Sequence, residues 1–426
     1  MTGGGDDSVS SGRGGIGLLA RSRSLLFFLP IGLQGAVTLI TIPVVVHSAG
    51  LASWTAIGIG QSVGAFGFAV QNLGWGITGP AQLGALAPEQ QPHLMTVSVV
   101  TKLLVLPPLA VSLLVVVTLL HPSDTALAFA GCLGASCTGL AGSWYYVGQN
   151  DPVRILLLET LPRVGIMALG LGALLLGAPV IVAPLAQVAG SVLAAGVCWG
   201  VAEGGALWSS LRAVTRDELA RSGRLQFSGV RIQAAVAAFA NAPLPMIARF
   251  VPSLTTPFAL YDKVQKQALA AAVPLGTIVV AGMVSRMTAH GPVQAARSSI
   301  ARIGGIAAIV LVGMSFATAI LVPLLSLGRF IPSPIESVLV GASVALGLVV
   351  NTFPAAVLAP LGLVGRGLLP VLVGGSCSVG AAVLLAYVAG LPGALSGVLL
   401  GQLVTIGMQA LVARRSMRSP VEGMAA

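Results

Sequence analysis

The sequence predicts an all-α polytopic membrane protein with twelve transmembrane helices, arranged as two six-helix lobes. The chain of 426 residues is 56% hydrophobic and only 8% charged, and its mean hydropathy of +0.96 is typical of integral membrane proteins. Twelve apolar runs each approach the roughly 20 residues that cross a bilayer core of about 30 Å. A polar connection over residues 202–226 separates the first six runs from the last six.

Each apolar run is interpreted as one helix because loops or charged residues interrupt the sequence between them. The even number of helices places both termini on the same side of the membrane. Residues 1–24 and 413–426 form terminal tails, 25–201 the first lobe, 202–226 a linker and 227–412 the second lobe. The predicted helices are 25–46, 55–77, 97–120, 125–147, 156–176, 179–201, 227–247, 260–284, 303–325, 335–358, 367–388 and 391–412.

The basic residues define the orientation. Of the 22 Lys and Arg residues, 18 fall on the side of the termini and of the linker. Because cytoplasmic loops are enriched in Lys and Arg, this side is predicted to be cytoplasmic. The high content of Ala, Gly and Arg suggests a bacterial source, so the expected location is the bacterial inner membrane. The formal charge of +10 is scattered between apolar runs, which argues against a nucleic-acid partner.

The linker 202–226 carries an amphipathic pattern. Its apolar residues recur at near-helical spacing opposite Arg212 and Arg216, which predicts a helix lying on the inner leaflet. The outward loops are all short, so no external domain is expected.

Cofactor, metal and enzyme motifs are not apparent. The four cysteines lie inside apolar runs without metal-ligand or redox spacing. The sequence shows no Walker lysine motif, HExxH or GxSxG, so we expect neither cofactor nor metal and no enzymatic activity.

A weak internal repeat accompanies the division into lobes. Residues 33–37 in helix 1 parallel residues 232–236 in helix 7, and Pro43 and Pro243 follow at nearly the same offset. Gln61 in helix 2 similarly corresponds to Gln265 in helix 8. Duplication of a six-helix unit is a common origin of transporters.

Helix 8 carries the strongest candidate site, with Asp262, Lys263 and Lys266 near the start of an apolar run. Each ionisable group there costs roughly 2.5–3.5 kcal/mol to insert, so such groups usually face a protein interior or a wet cavity. Asp262 and Lys266 are spaced to pair, and the two lysines are predicted to share a face. They either snorkel towards the outer interface or line a cationic cavity suited to phosphate.

Further polar residues lie in helices 1, 2, 5 and 7. Glu159 and Arg163 are spaced to pair along helix 5, either as a structural ion pair or as a proton-coupling carboxylate and an anion contact. Asn241 precedes two prolines, which predicts a bent segment of helix 7. Arg231 lies near the inner end, where it serves topology or contacts substrate. Gln34 and Gln61 are the candidate amides of helices 1 and 2.

Three motifs together resemble the Wzx-type lipid-linked oligosaccharide flippases of the polysaccharide-transporter family, within the multidrug/oligosaccharidyl-lipid/polysaccharide exporter superfamily. They are Gly-Trp-Gly-Ile-Thr-Gly-Pro at 74–80, Trp-Tyr-Tyr-x-Gly at 144–148 with Glu159 and Arg163 after it, and Tyr261 followed by Lys266. The resemblance covers essentially the whole chain. It departs from the family in helix 1, which has no deep charged residue.

The resemblance implies two six-helix lobes around a central cationic cavity. It also implies a transporter that moves a polyprenyl-diphosphate-linked oligosaccharide from the cytoplasmic to the outer leaflet. Lys263, Lys266 and Arg231 are then expected to contact anionic headgroups, with Asn241, Gln34, Gln61, Tyr261 and Arg163 as further contacts. Asp262 and Glu159 are the candidates for coupling to a proton or a sodium ion. A polysaccharide polymerase and glycosyltransferases are the implied protein partners, with membrane lipids around the protein.

Two other functions stay open. An ion-coupled drug or metabolite exporter of the same superfamily would also use a two-lobe cavity, although cationic drugs favour acidic linings and this chain has a basic excess. A membrane glycan polymerase usually needs a sizeable external loop, which this sequence lacks.

Overall fold

The computed structural model describes residues 12–120, 122–204 and 207–418. The predicted C-terminal tail beyond residue 418 and the first eleven residues of the N-terminal tail lie outside these ranges. The described chain is helical throughout, without strands. This confirms the all-α class predicted from the apolar runs.

The first long helix, Gly12–Gln71, contains two spans. A straight helix of 60 residues would extend about 90 Å at 1.5 Å per residue, three times the bilayer core. Gly50 interrupts it with a φ of 83°, a conformation that favours glycine. We call the arms α1 (12–49) and α2 (51–71).

The last long helix, Leu368–Arg418, is divided in the same way at Gly390, where φ is 62°. Its arms, α11 (368–389) and α12 (391–418), form an antiparallel hairpin. Gly393 packs against Leu385, and further along Gly401 packs against the backbone of Gly374.

The remaining spanning helices follow the predicted order, and with the four arms they make twelve in the described chain. Helix α7 is bent by 44° between Gly229–Asn241 and Pro243–Phe250. The bounds are α3 Gln91–Leu119, α4 Thr125–Cys137, α5 Pro152–Leu175, α6 Val182–Ala202, α7 Arg216–Asn241 with Pro243–Phe250, α8 Thr255–His290, α9 Pro292–Leu325 and α10 Pro334–Phe353 extended by Pro354–Leu358.

Several helix ends differ from the sequence prediction, including the start of α9 at Pro292 instead of 303 and the end of α4 at Cys137 instead of 147. Helix α2 ends at Gln71, because the chain turns through left-handed residues at Leu73 and Gly74 (φ 52° and 76°) before a separate short helix, Trp75–Gly84. Helix α7 begins at Arg216, inside the predicted linker, where Thr215 caps it by accepting a hydrogen bond from the Glu218 N–H.

The predicted amphipathic linker helix is a short helix, Leu207–Ala213. It lies before α7 and belongs to the connection between the two lobes. The description of the linker as a membrane-surface element stays a prediction.

Apolar packing differs between the two ends of the molecule. At the end that holds the turns at Gly50 and Gly390, which we call the turn end, one apolar core joins both lobes. It contains Trp54 and Leu120 of the first lobe with Phe258 and Leu325 of the second.

At the opposite end, which holds the connection between α6 and α7 and which we call the linker end, each lobe has its own core. One contains Trp75, Trp144 and Tyr146 of the first lobe, and the other contains Ile303 and Phe353 of the second. The first half of α7 crosses between them: Gln233 accepts a hydrogen bond from Asn72 at 3.4 Å.

Candidate functional site

Helix α8 forms a wall between two cavities. A cavity of about 610 Å³ lies within the first lobe, and Lys263 reaches it from α8. A cavity of about 400 Å³ lies within the second lobe, where Asp262 and Lys266 line it. A smaller interlobe cavity of about 160 Å³ is lined by all three of these residues. The charged cluster predicted in helix 8 therefore lies at the centre of the molecule.

Lys263 is held by an amide relay that crosses from one lobe to the other. Its Nζ donates a hydrogen bond to Gln61 Oε1 at 2.7 Å, and Gln61 Nε2 donates to Gln187 Oε1 at 3.1 Å. Among the residues described, Lys263 forms no ion pair with a carboxylate. Where it reaches the first-lobe cavity, the Lys263 ammonium group is therefore bonded to a neutral amide rather than to a carboxylate.

The first-lobe cavity also contains the predicted pair of helix 5. Arg163 Nη2 donates to Glu159 Oε1 at 3.2 Å, and both side chains are buried. Glu159 lies in a π-helical turn, Ile155–Thr160, and such turns occur frequently at functional sites. Within the described chain Glu159 Oε2 and Arg163 Nε have no hydrogen-bond partner, so the pair retains capacity to bind another polar group.

A second buried cation lies behind this pair. Lys102 of α3 is 1% exposed, and its Nζ donates to the Ala141 carbonyl at 2.8 Å. Lys102 does not line the first-lobe cavity described above, so its position favours a structural contribution to the packing of α3.

The second-lobe cavity contains a tighter ion pair and more amides. Lys266 Nζ donates to Asp262 Oδ2 at 2.6 Å, as the spacing predicted. Gln265 Nε2 donates to Ser343 Oγ at 2.5 Å, and Ser343 in turn donates to Gln402 Oε1 at 3.3 Å. Asn241 lies at the break of α7 and lines both this cavity and the interlobe cavity.

Most of the predicted site residues meet in these cavities. Gln34, Gln61, Glu159, Arg163 and Lys263 line the first-lobe cavity. Asn241, Asp262 and Lys266 line the second-lobe cavity. The two lysines meet at the interlobe cavity but extend to different lobes.

Two predicted site residues lie elsewhere. Tyr261 is buried and donates a hydrogen bond to Glu336 Oε2 at 3.0 Å. Arg231 is exposed and lies 5.8 Å from the centroid of the Phe227 ring. Neither residue lines the three cavities described here, and their proposed contacts with substrate stay predictions.

Sequence reasoning missed several amides of the cavities, among them Gln265 of the second-lobe cavity and Gln267, which lines the first-lobe and interlobe cavities. Gln187 lines the first-lobe cavity, while Asn351 and Gln402 line the second. Each is an isolated amide within an apolar run, which is the same signal that singled out Asn241.

The aromatic glycine-rich motifs of the first lobe meet at the linker end. The rings of Trp75 and Trp144 lie 4.8 Å apart, and Gly79 allows Trp144 to pack directly on the short helix. Tyr146 donates to the Cys198 carbonyl at 2.9 Å. These motifs therefore build the first-lobe core at that end.

No protein-family profile matches the chain, and no curated protein matches it by sequence. Solved structures match its fold. A multidrug resistance MATE family transporter of the MOP superfamily, solved in an inward-facing conformation, is 15% identical in sequence to this chain. The two structures match with a TM-score of 0.63 over 92% of this chain and 98% of that chain. An outward-facing MATE family transporter is 14% identical, with a TM-score of 0.59 over 92% and 94%. A eukaryotic MATE transporter is 16% identical, with a TM-score of 0.55 over 93% and 96%.

These similarities extend over nearly the whole length of both chains. The chain therefore has the two-lobe fold of the MATE family transporters, as a multi-pass membrane protein. This confirms the predicted two-lobe helical fold, while the predicted superfamily stays a prediction. Membership of the polysaccharide-transporter family stays a prediction.

Proposed function

We propose that this chain, which has the fold of the MATE family transporters, moves a polyprenyl-diphosphate-linked oligosaccharide from the cytoplasmic to the outer leaflet of a bacterial inner membrane. Diphosphate and sugar groups do not cross hydrocarbon unaided, because polar groups lose their water there. The cavities on both sides of α8 replace that water with amides and cations. The polyprenyl chain stays in the surrounding lipid.

The observation that carries this proposal is the state of Lys263. Its ammonium group faces the first-lobe cavity and is bonded to the neutral Gln61 at 2.7 Å. A charge that faces such a cavity without a bonded counter-ion favours an anionic ligand that supplies one. Lysine binds phosphate well as a point charge.

The packing of the two lobes supports alternating access. One core joins the lobes at the turn end, whereas the cores at the linker end are separate. The excess of Lys and Arg on the side of the linker end supports a cytoplasmic location for that end. The first half of α7 still bridges the lobes at the linker end, so we infer that substrate enters beside it from the cytoplasmic side and that export requires the turn end to open.

Ion coupling is assigned to the two paired carboxylates. Glu159 and Asp262 each contact a cation at 3.2 and 2.6 Å in separate lobes. Binding of a proton or a sodium ion at either carboxylate would weaken that contact and change the cavity lining. Glycosyltransferases that build the lipid-linked glycan and a polymerase that consumes it are the proposed partners.

A drug or metabolite exporter is the second candidate, and it is favoured by the similarity to multidrug MATE transporters. Glu159 and Asp262 would be the cation-binding groups in that case. Both carboxylates are already paired with Arg163 and Lys266. The cavities therefore offer no unpaired acid among the described residues, which ranks a cationic drug below an anionic lipid.

The test replaces the native copy of the gene in cells with a variant and measures the amount of polysaccharide on the cell surface. Lys263→Ala should reduce surface glycan and accumulate the lipid-linked intermediate, while Lys263→Arg should retain export. Arg329→Ala, which removes an exposed cation in the turn between α9 and α10, is the control. Normal export by Lys263→Ala at normal protein levels would reject the proposal. Loss of resistance to a cationic dye in the same cells would favour the drug exporter.

A further inference from the structure

The second-lobe cavity differs in chemistry from the first-lobe cavity. Its charged lining residues are Asp262 and Lys266, which neutralise each other through a contact of 2.6 Å. A volume of about 400 Å³ is sufficient for one or two sugar rings. The cavity therefore offers space without a net charge for a phosphate group.

The polar groups of this cavity are mainly open acceptors. Asn241 Nδ2 and Asn351 Nδ2 each donate to a carbonyl of their own helix at 2.8 Å. Their Oδ1 atoms accept no hydrogen bond within the described part of the chain. Gln265 likewise uses its Nε2 on Ser343 and leaves Oε1 open. Three acceptors around one cavity favour a ligand with several hydroxyl or amide donors.

Helix α12 adds a polar stripe to the opposite wall. Gln402 and Thr405 line the cavity, and Gln409 follows four residues further along the same face. Gln409 is fully buried, and its Nε2 and Oε1 lack partners among the residues described. A buried amide without partners costs about 1–3 kcal/mol, so apolar packing alone does not account for this stripe.

The cavity also has an apolar wall. Phe239 lines it and packs directly on Gly375, where the missing side chain admits the ring. Sugar rings present hydroxyl groups at their edges and C–H groups on their faces. A combination of open acceptors, amide donors and one aromatic ring therefore matches a carbohydrate better than an inorganic anion.

We propose that the second-lobe cavity is a carbohydrate subsite, which binds the neutral sugars of the substrate while Lys263 binds the diphosphate on the other side of α8. The proposal rests on the function proposed above and specifies where each part of that substrate lies. Both lysines line the interlobe cavity, so a single headgroup can extend past α8, whose diameter with side chains is about 10–12 Å.

The test compares two probes on the purified, full-length protein. One probe is a farnesyl diphosphate, and the other is the same lipid with a neutral disaccharide attached to the diphosphate. Asn351→Leu removes one open acceptor while keeping the number and branching of the side-chain heavy atoms, and Thr405→Val removes a hydroxyl group of the same cavity. Lys263→Ala tests the anion site independently.

The wild type should bind the glycosylated probe more tightly than the bare diphosphate. Asn351→Leu and Thr405→Val should each lower affinity for the glycosylated probe about three- to tenfold, the loss of one hydrogen bond, and leave the bare probe unchanged. Lys263→Ala should weaken both probes.

The two proposals fail in different ways. Equal affinity of the wild type for both probes, or equal losses of both probes in Asn351→Leu and Thr405→Val, would overturn the carbohydrate subsite. Unchanged binding of both probes by Lys263→Ala would overturn the anion site of the proposed function, while a selective loss in the other two variants would still support the subsite.

Discussion

A disulfide across the turn end should stop transport, because the lobes must separate there during export. Thr55 of α2 donates a hydrogen bond to Thr256 of α8 at 2.9 Å, and these residues belong to different lobes. We predict that Thr55→Cys with Thr256→Cys forms a disulfide under mild oxidation. The exposed Cys377 is replaced by Ser in the same background, since the other three native cysteines are buried.

The distance between the Thr55 and Thr256 side chains determines how readily the disulfide forms and how strongly it should block transport. A disulfide needs sulfur atoms about 2.05 Å apart, so the two side chains at 2.9 Å must approach by less than 1 Å. The native hydrogen bond contributes about 0.5–1.5 kcal/mol and breaks readily, whereas the covalent bond does not. Transport should therefore fall in proportion to the cross-linked fraction, so that 90% cross-linking leaves roughly a tenth of the activity.

The assay measures export and, in the same samples, the fraction of protein in which the disulfide has formed. A protease site inserted between α6 and α7 releases two halves, which stay together on a denaturing gel only when the disulfide is present. Reductant should restore export, and each single cysteine variant should remain active under oxidation. Full export by protein that is fully cross-linked would refute the idea that the turn end opens.

Three further predictions concern packing, the buried ion pair and acidity. Gly60→Ala should lower the free energy of unfolding by about 1–3 kcal/mol, because the new Cβ would overlap a backbone carbonyl of α4. The midpoint of thermal unfolding should fall accordingly. Gly58→Ala, whose Cβ meets a methyl group at 3.8 Å, is the matched control, and equal effects would contradict the packing argument. Glu159→Gln should destabilise the protein by about 3–5 kcal/mol because Arg163 stays buried without its counter-charge; adding Arg163→Leu should recover stability, and failure to recover would argue against a charge effect. The pKa of Glu218 is lowered by the backbone N–H of its capping threonine and by a histidine of α3. Because its pKa in the folded state lies below the ordinary value of 4.5, its stabilisation is present above that pH and is lost as pH falls through the lowered pKa. The protection factors for hydrogen exchange in the first turn of α7, which correct for the intrinsic slowing of exchange in acid, should then fall on acidification, and an equal fall in Glu218→Gln would assign the effect to another group.

The spanning helices could be predicted because the bilayer dictates their length. An apolar run of about 20 residues has few alternatives to a helix when water is absent. The break after Gln71 could not be predicted in this way. It depends on Gly74 packing against Gly229 of α7, which is a contact between distant parts of the chain.

The candidate site was predictable as a set of residues but not as an arrangement. Isolated polar side chains in apolar helices mark cavities, and this rule found Lys263, Lys266 and Asn241. It does not state which lobe each side chain faces. Lys263 and Lys266 differ by about 60° around the helix, and the boundary between the two cavities passes between them. Only the packing of α8 against both lobes fixes that boundary.

The arrangement of α8 makes the electrostatics of the whole molecule sensitive to helix register. Asp262 and Lys263 are neighbours in sequence, about 100° apart around the axis, yet they line cavities in different lobes. Inserting one residue in the turn Pro252–Leu254 would rotate α8 by that angle if its depth were kept, and Asp262 would take the angular position of Lys263. A carboxylate would then replace an ammonium group in the first lobe. Relatives that differ in the length of this turn would therefore be expected to select cargo of opposite charge, even where the residues of α8 are identical.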